Sequence, residues 1–520
     1  MVRPAAGSRL PAREVDVLVI GAGLSGIGAA CHLRRSCPTK TLAIIERRKQ
    51  MGGTWDLFRY PGVRSDSDMY TFGFSFRPWT EPRVLADGAS IRKYMHDTAH
   101  EYGVDALIDY ERRAVRADWS SRDERWTVEV LNEATGQTER YRAAFIFTCT
   151  GYYNYDTGYR PTFDGEADFT GTLVHPQFWP EDLDYAGKNV VVIGSGATAI
   201  TLVPSMAGKA AHVTMLQRSP TYILSVPAID GVAAALQKHL PAKLAYRLNR
   251  ARNVAIQRGL YKMSRRHPAL VRKFILGRIR NRIGERIDMR HFTPSYNPWD
   301  QRLCVVPNGD LFKALKRGDA SIETDTIDRF TEHGVRLKSG KELPADIIIT
   351  ATGLDVRMAG GMAVYVDGEP TEVAGRLTYK GVMLADVPNV GVLFGYTNAS
   401  WTLKVDLAAE YLCRVLNHMA RRGYAQFVAH PPTDERDEGN VMQTLSSGYV
   451  QRASGRLPAQ GRRSPWRVVQ DYLYDVNVMR YGDVEDGVIE FDGHVSHAAR
   501  PAWRTPLRTA RARLAAAGII

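Results

Sequence analysis

Two apolar strands that run straight into glycine-rich turns and then into helices, one near residue 20 and one near residue 193, predict an α/β chain with two parallel sheets. A third observation completes each sheet. Residues 144–151, Ala-Phe-Ile-Phe-Thr-Cys-Thr-Gly, and residues 346–353, Asp-Ile-Ile-Ile-Thr-Ala-Thr-Gly, are each an apolar strand ending in the same Thr-x-Thr-Gly turn. The two halves read as copies of one plan.

In the first unit residues 15–20 form the strand, Gly21-Ala22-Gly23-Leu24-Ser25-Gly26 the turn, and residues 27–33 the start of the helix. Gly21, Gly23 and Gly26 permit a tight turn and the close approach of a pyrophosphate, toward which the helix N-terminus directs N–H groups and positive dipole. The next strand, residues 41–45, ends in Glu46, where a carboxylate can accept ribose hydroxyls. Strand, turn, helix and acid in this order fit the adenosine half of FAD or NAD.

The second unit differs at the position that discriminates between nucleotides. Residues 189–193 are the strand, Gly194-Ser195-Gly196-Ala197-Thr198-Ala199 the turn, and Ala199 in place of a third glycine still allows close helix packing. The strand at residues 212–216 ends in Gln217-Arg218-Ser219 rather than in an acid. A cation and a hydroxyl there suit the 2′-phosphate of NADPH; a solvated strand-end charge is the alternative.

A chain of 520 residues can hold two to four domains and a large core, so no disulfide or metal is needed to staple it. Cys31, Cys37, Cys149, Cys304 and Cys413 are odd in number, scattered and without Cys-x-x-Cys spacing, which predicts free thiols in a reducing cytoplasm and no metal site. No stretch has the length and apolarity of a signal peptide or membrane span. The net charge of +13 is concentrated: residues 238–290 hold sixteen Lys or Arg against Glu285 and Asp288. Apolar residues recur there at helical spacing, with a break at His267-Pro268, so the segment reads as basic amphipathic helices inserted in the second unit. A solvated face, an anionic membrane surface and nucleic acid are three readings of that charge, the last without any accompanying motif.

Two longer patterns narrow the reading. Phe169-Thr170-Gly171-Thr172-Leu173-Val174-His175-Pro176-Gln177-Phe178-Trp179-Pro180 contains F-x-G-x-x-x-H-x-x-x-W-P in full, between the two glycine turns. Gly52-Gly53-Thr54-Trp55, then Tyr60-Pro61-Gly62, then Asp66 forms the other. Together they resemble the signatures of the Baeyer–Villiger monooxygenases, class B flavoprotein monooxygenases. The resemblance runs from Val15 to about Gly487 and is closest to the actinobacterial branch that includes ethionamide-activating monooxygenases.

The resemblance implies two Rossmann-like dinucleotide-binding domains, for FAD and NADPH, with a helical insert and a discontinuous FAD domain. The expected layout is residues 1–155 for the first part of the FAD domain, 156–180 for the fingerprint linker and 181–224 for the first part of the NADPH domain. Residues 225–302 are then the basic insert, 303–384 the second part of the NADPH domain, 385–496 the second part of the FAD domain, and 497–520 an Ala- and Arg-rich appendage. NADPH would reduce FAD, and a C4a-peroxyflavin formed with O2 would convert ketones to esters or oxygenate sulfides and thioamides. Such a peroxide has to stay deprotonated and shielded from water.

A fixed cation beside the flavin would stabilise the negative charge that develops. By resemblance that cation is Arg302, oriented by Asp66 on the active-site side of the flavin. Gly53 and Thr54 bring backbone close to the flavin and Trp55 offers a flat wall. Asn398 opens a helix, expected to start at about Trp401, whose positive end faces the flavin pyrimidine. Phe169, Gly171, His175, Trp179 and Pro180 belong to the interdomain linker, where His175 couples domain rotation to NADPH movement rather than moving protons at the flavin. A flavin-dependent NADPH reductase and a non-catalytic flavin-binding membrane-surface protein are the competing classes; the missing Cys-x-x-Cys and the two signatures weigh against them.

Overall fold

A computed structural model describes residues 12–301, 303–435 and 439–492. The strand Arg13–Ile20 ends in four consecutive buried residues, as a strand covered on both faces requires. On one side it pairs in parallel with Leu42–Glu46, which is followed by Ile108–Tyr110; on the other it pairs in parallel with Thr138–Thr148. The sheet then turns antiparallel through Arg125–Asn132 and Arg112–Ser120. Ala363–Val366 continues it beside Arg112–Ser120, and Val390–Val392 runs parallel to the end of Thr138–Thr148. Helices Leu24–Ser36 and Trp401–Arg422 cover one face and share its main apolar core.

The second sheet is wholly parallel, in the order Ala320–Thr324, His212–Gln217, Asn189–Ile193, Ile347–Thr350 and Thr172–Val174. Helix Ala197–Met206 packs on it, within a second core that also buries Leu57, Phe58 and Tyr60 from the first unit. The second signature is therefore two-sided: its start belongs to the first domain, and its middle is a plug in the core of the other.

Two boundaries read from sequence need correction. The second part of the FAD domain does not begin at 385, because residues 363–370 already extend the first sheet. Residues 156–180 are not only a linker, since Thr172–Val174 is the edge strand of the second sheet. The chain crosses between domains twice, and the crossings pair: Tyr153–Gly158 runs antiparallel to Leu354–Val356 as a two-stranded ribbon.

The insert forms helices Gly231–His239, Ala242–Arg266 and Pro268–Ile283. Ala233 and Tyr246 join the first core, whereas Val271, Ile275, Ile279 and Ile283 join the second. Arg250 anchors the long helix to the first domain. It bonds the carbonyls of Tyr70 at 3.0 Å and Gly73 at 2.7 Å and reaches Asp406 at 3.1 Å. Burial alone would raise the Asp406 carboxyl, but His32, Arg250 and the Ser75 amide together hold it below its ordinary value. No described helix is long and apolar enough to cross a membrane. The five cysteines are buried and none is in a disulfide.

Candidate active site

The first glycine turn is forced by packing. A Cβ on Gly26 would lie 1.8 Å from the Gly21 carbonyl oxygen, so the helix can sit this close to the strand only with glycine there. Gly23 caps helix Leu24–Ser36 without a side-chain bond, leaving the terminal amides without a side-chain acceptor. Opposite it, Gly53 has φ +55°, and a Cβ there would meet the Gly23 α-carbon at 2.9 Å. Two backbones thus approach one another beside a cleft with about 1410 Å³ of empty space.

Gly21, Gly23, Glu46, Gly53, Thr54, Trp55 and Asp66 all line this cleft, as do Arg47, Arg113 and Arg357, which suit a pyrophosphate. Glu46 is buried and takes one backbone amide on each oxygen, from Ala22 at 2.7 Å and Arg48 at 2.9 Å. Each oxygen retains a lone pair for a ribose hydroxyl. Burial raises the Glu46 carboxyl against the pull of those two amides. The glycines, the acid and the open helix end fit FAD. Trp401, expected at a helix start, also lines the cleft; Tyr152 and Tyr155 line it too but were not singled out from sequence, where the Tyr-Tyr-Asn-Tyr run after the Thr-x-Thr-Gly turn was the available signal.

A second cavity, with about 1610 Å³ of empty space, meets the first at Asp66, Ser67 and Ala399. Its wall is chiefly apolar, from Val84, Leu224, Val226, Ile256, Leu260 and Leu303. Asp68, which also lines it, is satisfied by the amides of Tyr70 and Thr71 and by Asn253 and Gln257. Asn398 lines the same cavity and donates to the Gln470 carbonyl at 2.9 Å, three residues before helix Trp401–Arg422 begins. Arg302 lies outside the described residues; Leu303 and Val305 just beyond it face this cavity.

In the second domain Gly194 and Gly196 lead into helix Ala197–Met206, whose cap carries no side-chain bond. Arg218 and Ser219 are exposed beside that turn, Ser195 Oγ donates to the Ser219 carbonyl at 3.0 Å, and Arg218 makes no ion pair among the described residues. This open helix end with an adjacent cation fits a phosphorylated dinucleotide. Thr198 bonds the hydroxyl of Tyr60, whose own ionisation is pushed up to about 12, chiefly by burial.

The first signature packs beside the ribbon. Phe169 packs edge-on against Phe330, and a Cβ on Gly171 would lie 2.4 Å from the Asp346 carbonyl. His175 Nδ1 accepts the Gln177 amide at 3.2 Å, so Nε2 carries the proton and donates to the Gly353 carbonyl at 3.3 Å. Gly158, on the other strand of the ribbon, lies flat against the imidazole. Burial lowers the His175 pKa, partly countered by its carbonyl partners. Trp179 packs on the second core, and Pro180 follows it.

Residues 18–226 match the family model described as pyridine nucleotide-disulphide oxidoreductase. The chain is 55% identical over 483 residues to the putative FAD-containing monooxygenase MymA of Mycobacterium tuberculosis, covering 92% of this chain and 98% of that one. It belongs to the FAD-containing monooxygenases. The FAD-containing monooxygenase EthA of the same organism is 51% identical over 491 residues, covering 94% of this chain and 99% of EthA. Among solved structures, an oxidised steroid monooxygenase bound to NADP aligns with a TM-score of 0.74 at 22% identity, covering 92% of this chain and 99% of that one, a likeness of fold. This monooxygenase thus has the two-domain fold of a protein solved with NADP.

Proposed function

We propose that this FAD-containing monooxygenase uses NADPH and O2 to convert ketones to esters and to oxygenate sulfides or thioamides. The observation that carries the reading is Asp66, which lies where the dinucleotide cleft meets the apolar cavity. Bound FAD, reduced by NADPH, supplies the activation of O2. Around it the chain does the rest. Gly21, Gly23, Gly26 and Glu46 hold the adenosine half, with Gly53, Thr54 and Trp55 along the flavin; Gly194, Gly196, Arg218 and Ser219 hold NADPH.

Asp66 orients Arg302, whose guanidinium stabilises the negative charge that develops on the substrate carbonyl. The apolar wall of the second cavity keeps bulk water from the reacting atoms. Asn398, tied to the Gln470 carbonyl three residues before helix Trp401–Arg422, would hold the segment from which the positive end of that helix stabilises the flavin. His175, packed against the ribbon, ties the turning of the NADPH domain to that of the linker. The basic insert further supports a place in the cytoplasm at an anionic membrane surface.

The test is turnover of purified yellow protein with NADPH under 18O2, on a panel of linear ketones, aryl ketones and sulfides analysed by mass spectrometry. One labelled oxygen per product, with one NADPH consumed for each, is expected. NADPH oxidation that yields only hydrogen peroxide with every compound would instead favour a reductase.

A further inference from the structure

The outer face of the insert has a composition that neither FAD nor NADPH binding explains. From residue 231 to residue 284 the chain contains no Asp or Glu. Some of its cations turn inward, with Arg250 on Asp406, Arg252 on Asp230 and Arg258 on Asp471. Others remain outside: Lys243, Arg247, Arg266, Lys273 and Arg280 are exposed and make no ion pair among the described residues.

Apolar side chains stand between them. Of the twelve large hydrophobic residues exposed among the described residues, eight fall between 229 and 274. On helix Ala242–Arg266 they are Leu244, Leu248, Ile256 and Met263, within one stripe at helical spacing; on Pro268–Ile283 they are Leu270 and Phe274. A merely solvated face has no reason to expose an apolar stripe among unpaired cations. Such a face matches the interface of an anionic bilayer, where apolar groups enter the acyl boundary and lysines and arginines reach the headgroups.

The same face holds the mouth of the apolar cavity. Val232 and Ile256 line that cavity while being 57% and 58% exposed, and Ile229 beside them is 59% exposed. Charge argues against the other occupants. A second copy would bring the same positive face, and residues 493–520 carry five arginines and no acid.

We propose that this face docks on an anionic bilayer, and that the cavity admits lipophilic carbonyl or sulfur compounds dissolved in that bilayer through the mouth at Val232 and Ile256. The entry route rests on the oxygenase reading of the cavity; the docking does not.

The experiment uses the full-length, FAD-loaded protein and two variants, Leu244→Asp/Leu248→Asp and Lys243→Glu/Arg247→Glu. None of these residues lines either cavity. Flotation with phosphatidylcholine vesicles, with and without phosphatidylglycerol, reads docking. Oxygenation of hexadecyl methyl sulfide carried in those vesicles, against thioanisole in solution, reads entry. FAD content and thermal midpoint confirm folding, and the exposed charge pair provides a second test should the apolar pair fold poorly.

Binding should be about tenfold or more stronger on the anionic vesicles, should fall with salt, and should drop by a similar factor in each variant. Both variants should lose the vesicle-borne reaction and keep thioanisole turnover. Equal binding to both vesicle types, unchanged binding by both variants, or conversion of an oligomer to monomer by the variants would overturn docking. Unchanged use of vesicle-borne sulfide by vesicle-detached variants would overturn the entry route. Flotation needs no turnover: docking without oxidation of any sulfide would remove the oxygenase reading and the route together, and thioanisole oxidation without flotation would remove docking alone.

Discussion

Arg218 and Arg302 ask different things of a guanidinium. Arg218 is exposed beside an open helix end, so its partner has to come from solution. Arg218→Ala should therefore weaken NADPH binding by about 1.5–3 kcal/mol, roughly ten- to a hundredfold in KM, and leave NADH nearly unaffected. Steady-state kinetics with both coenzymes measures the difference, and equal losses would remove the assigned role. For Arg302→Ala the expected protein is still yellow, because the FAD-lining turns lie elsewhere. Product formed per NADPH consumed should fall by about a hundredfold, with partial recovery in Arg302→Lys, which keeps charge without the planar fork. A fully coupled Arg302→Ala enzyme would sink that assignment. At this scale the chain was most readable where a local rule is strict: Gly26 and Glu46 stand where the strand–turn–helix rule puts them. Tyr152 and Tyr155 were not readable, because a side chain reaches a cleft through tertiary packing that no spacing encodes.

Among elements, the ribbon of the two crossings is what His175 touches, through the Gly353 carbonyl at its edge. Its folded pKa lies below the ordinary value near 6.5, so in the interval between them the unfolded chain binds a proton that the folded chain refuses. Stability contributed by neutral His175 is thus full above about pH 6.5 and is lost as pH falls below it. His175→Gln can still donate to the Gly353 carbonyl but does not titrate. Its thermal midpoint should fall less steeply than that of the wild type between about pH 7 and pH 5.5. Parallel profiles by scanning calorimetry would show that His175 is not the group responsible. The ribbon itself escaped sequence reading, as did the edge strand Thr172–Val174, because Leu354–Val356 and Thr172–Val174, at three residues each, carry too few alternations to register as a period. Ala363–Val366 was assigned to the wrong domain for a related reason: its partner, Arg112–Ser120, is about 250 residues earlier in the chain.

For the molecule as a whole, the buried Arg250–Asp406 pair joins an insert that leaves the second domain to the helix that completes the first. Removing one member of a buried pair strands the other. Arg250→Met should lower stability by about 3–5 kcal/mol, and Arg250→Met/Asp406→Asn should recover part of that loss. Urea unfolding measures both, and a neutral Arg250→Met would mean that His32 and the Ser75 amide suffice for Asp406. The two-domain plan was legible because each sheet repeats one local grammar. The apolar cavity was not: Val84, Leu224, Ile256, Leu303 and Ala399 come from five separate parts of the chain and meet only in the folded protein.

The first sheet also has a consequence in time. Its central strand, Arg13–Ile20, is made early, yet Ala363–Val366, Val390–Val392 and the covering helix Trp401–Arg422 arrive only after the whole of the second sheet, which ends with Ile347–Thr350. On the ribosome, where domains fold as units as they emerge, the domain begun second is finished first. The earlier one waits with an apolar face uncovered until helix Trp401–Arg422 emerges to close it.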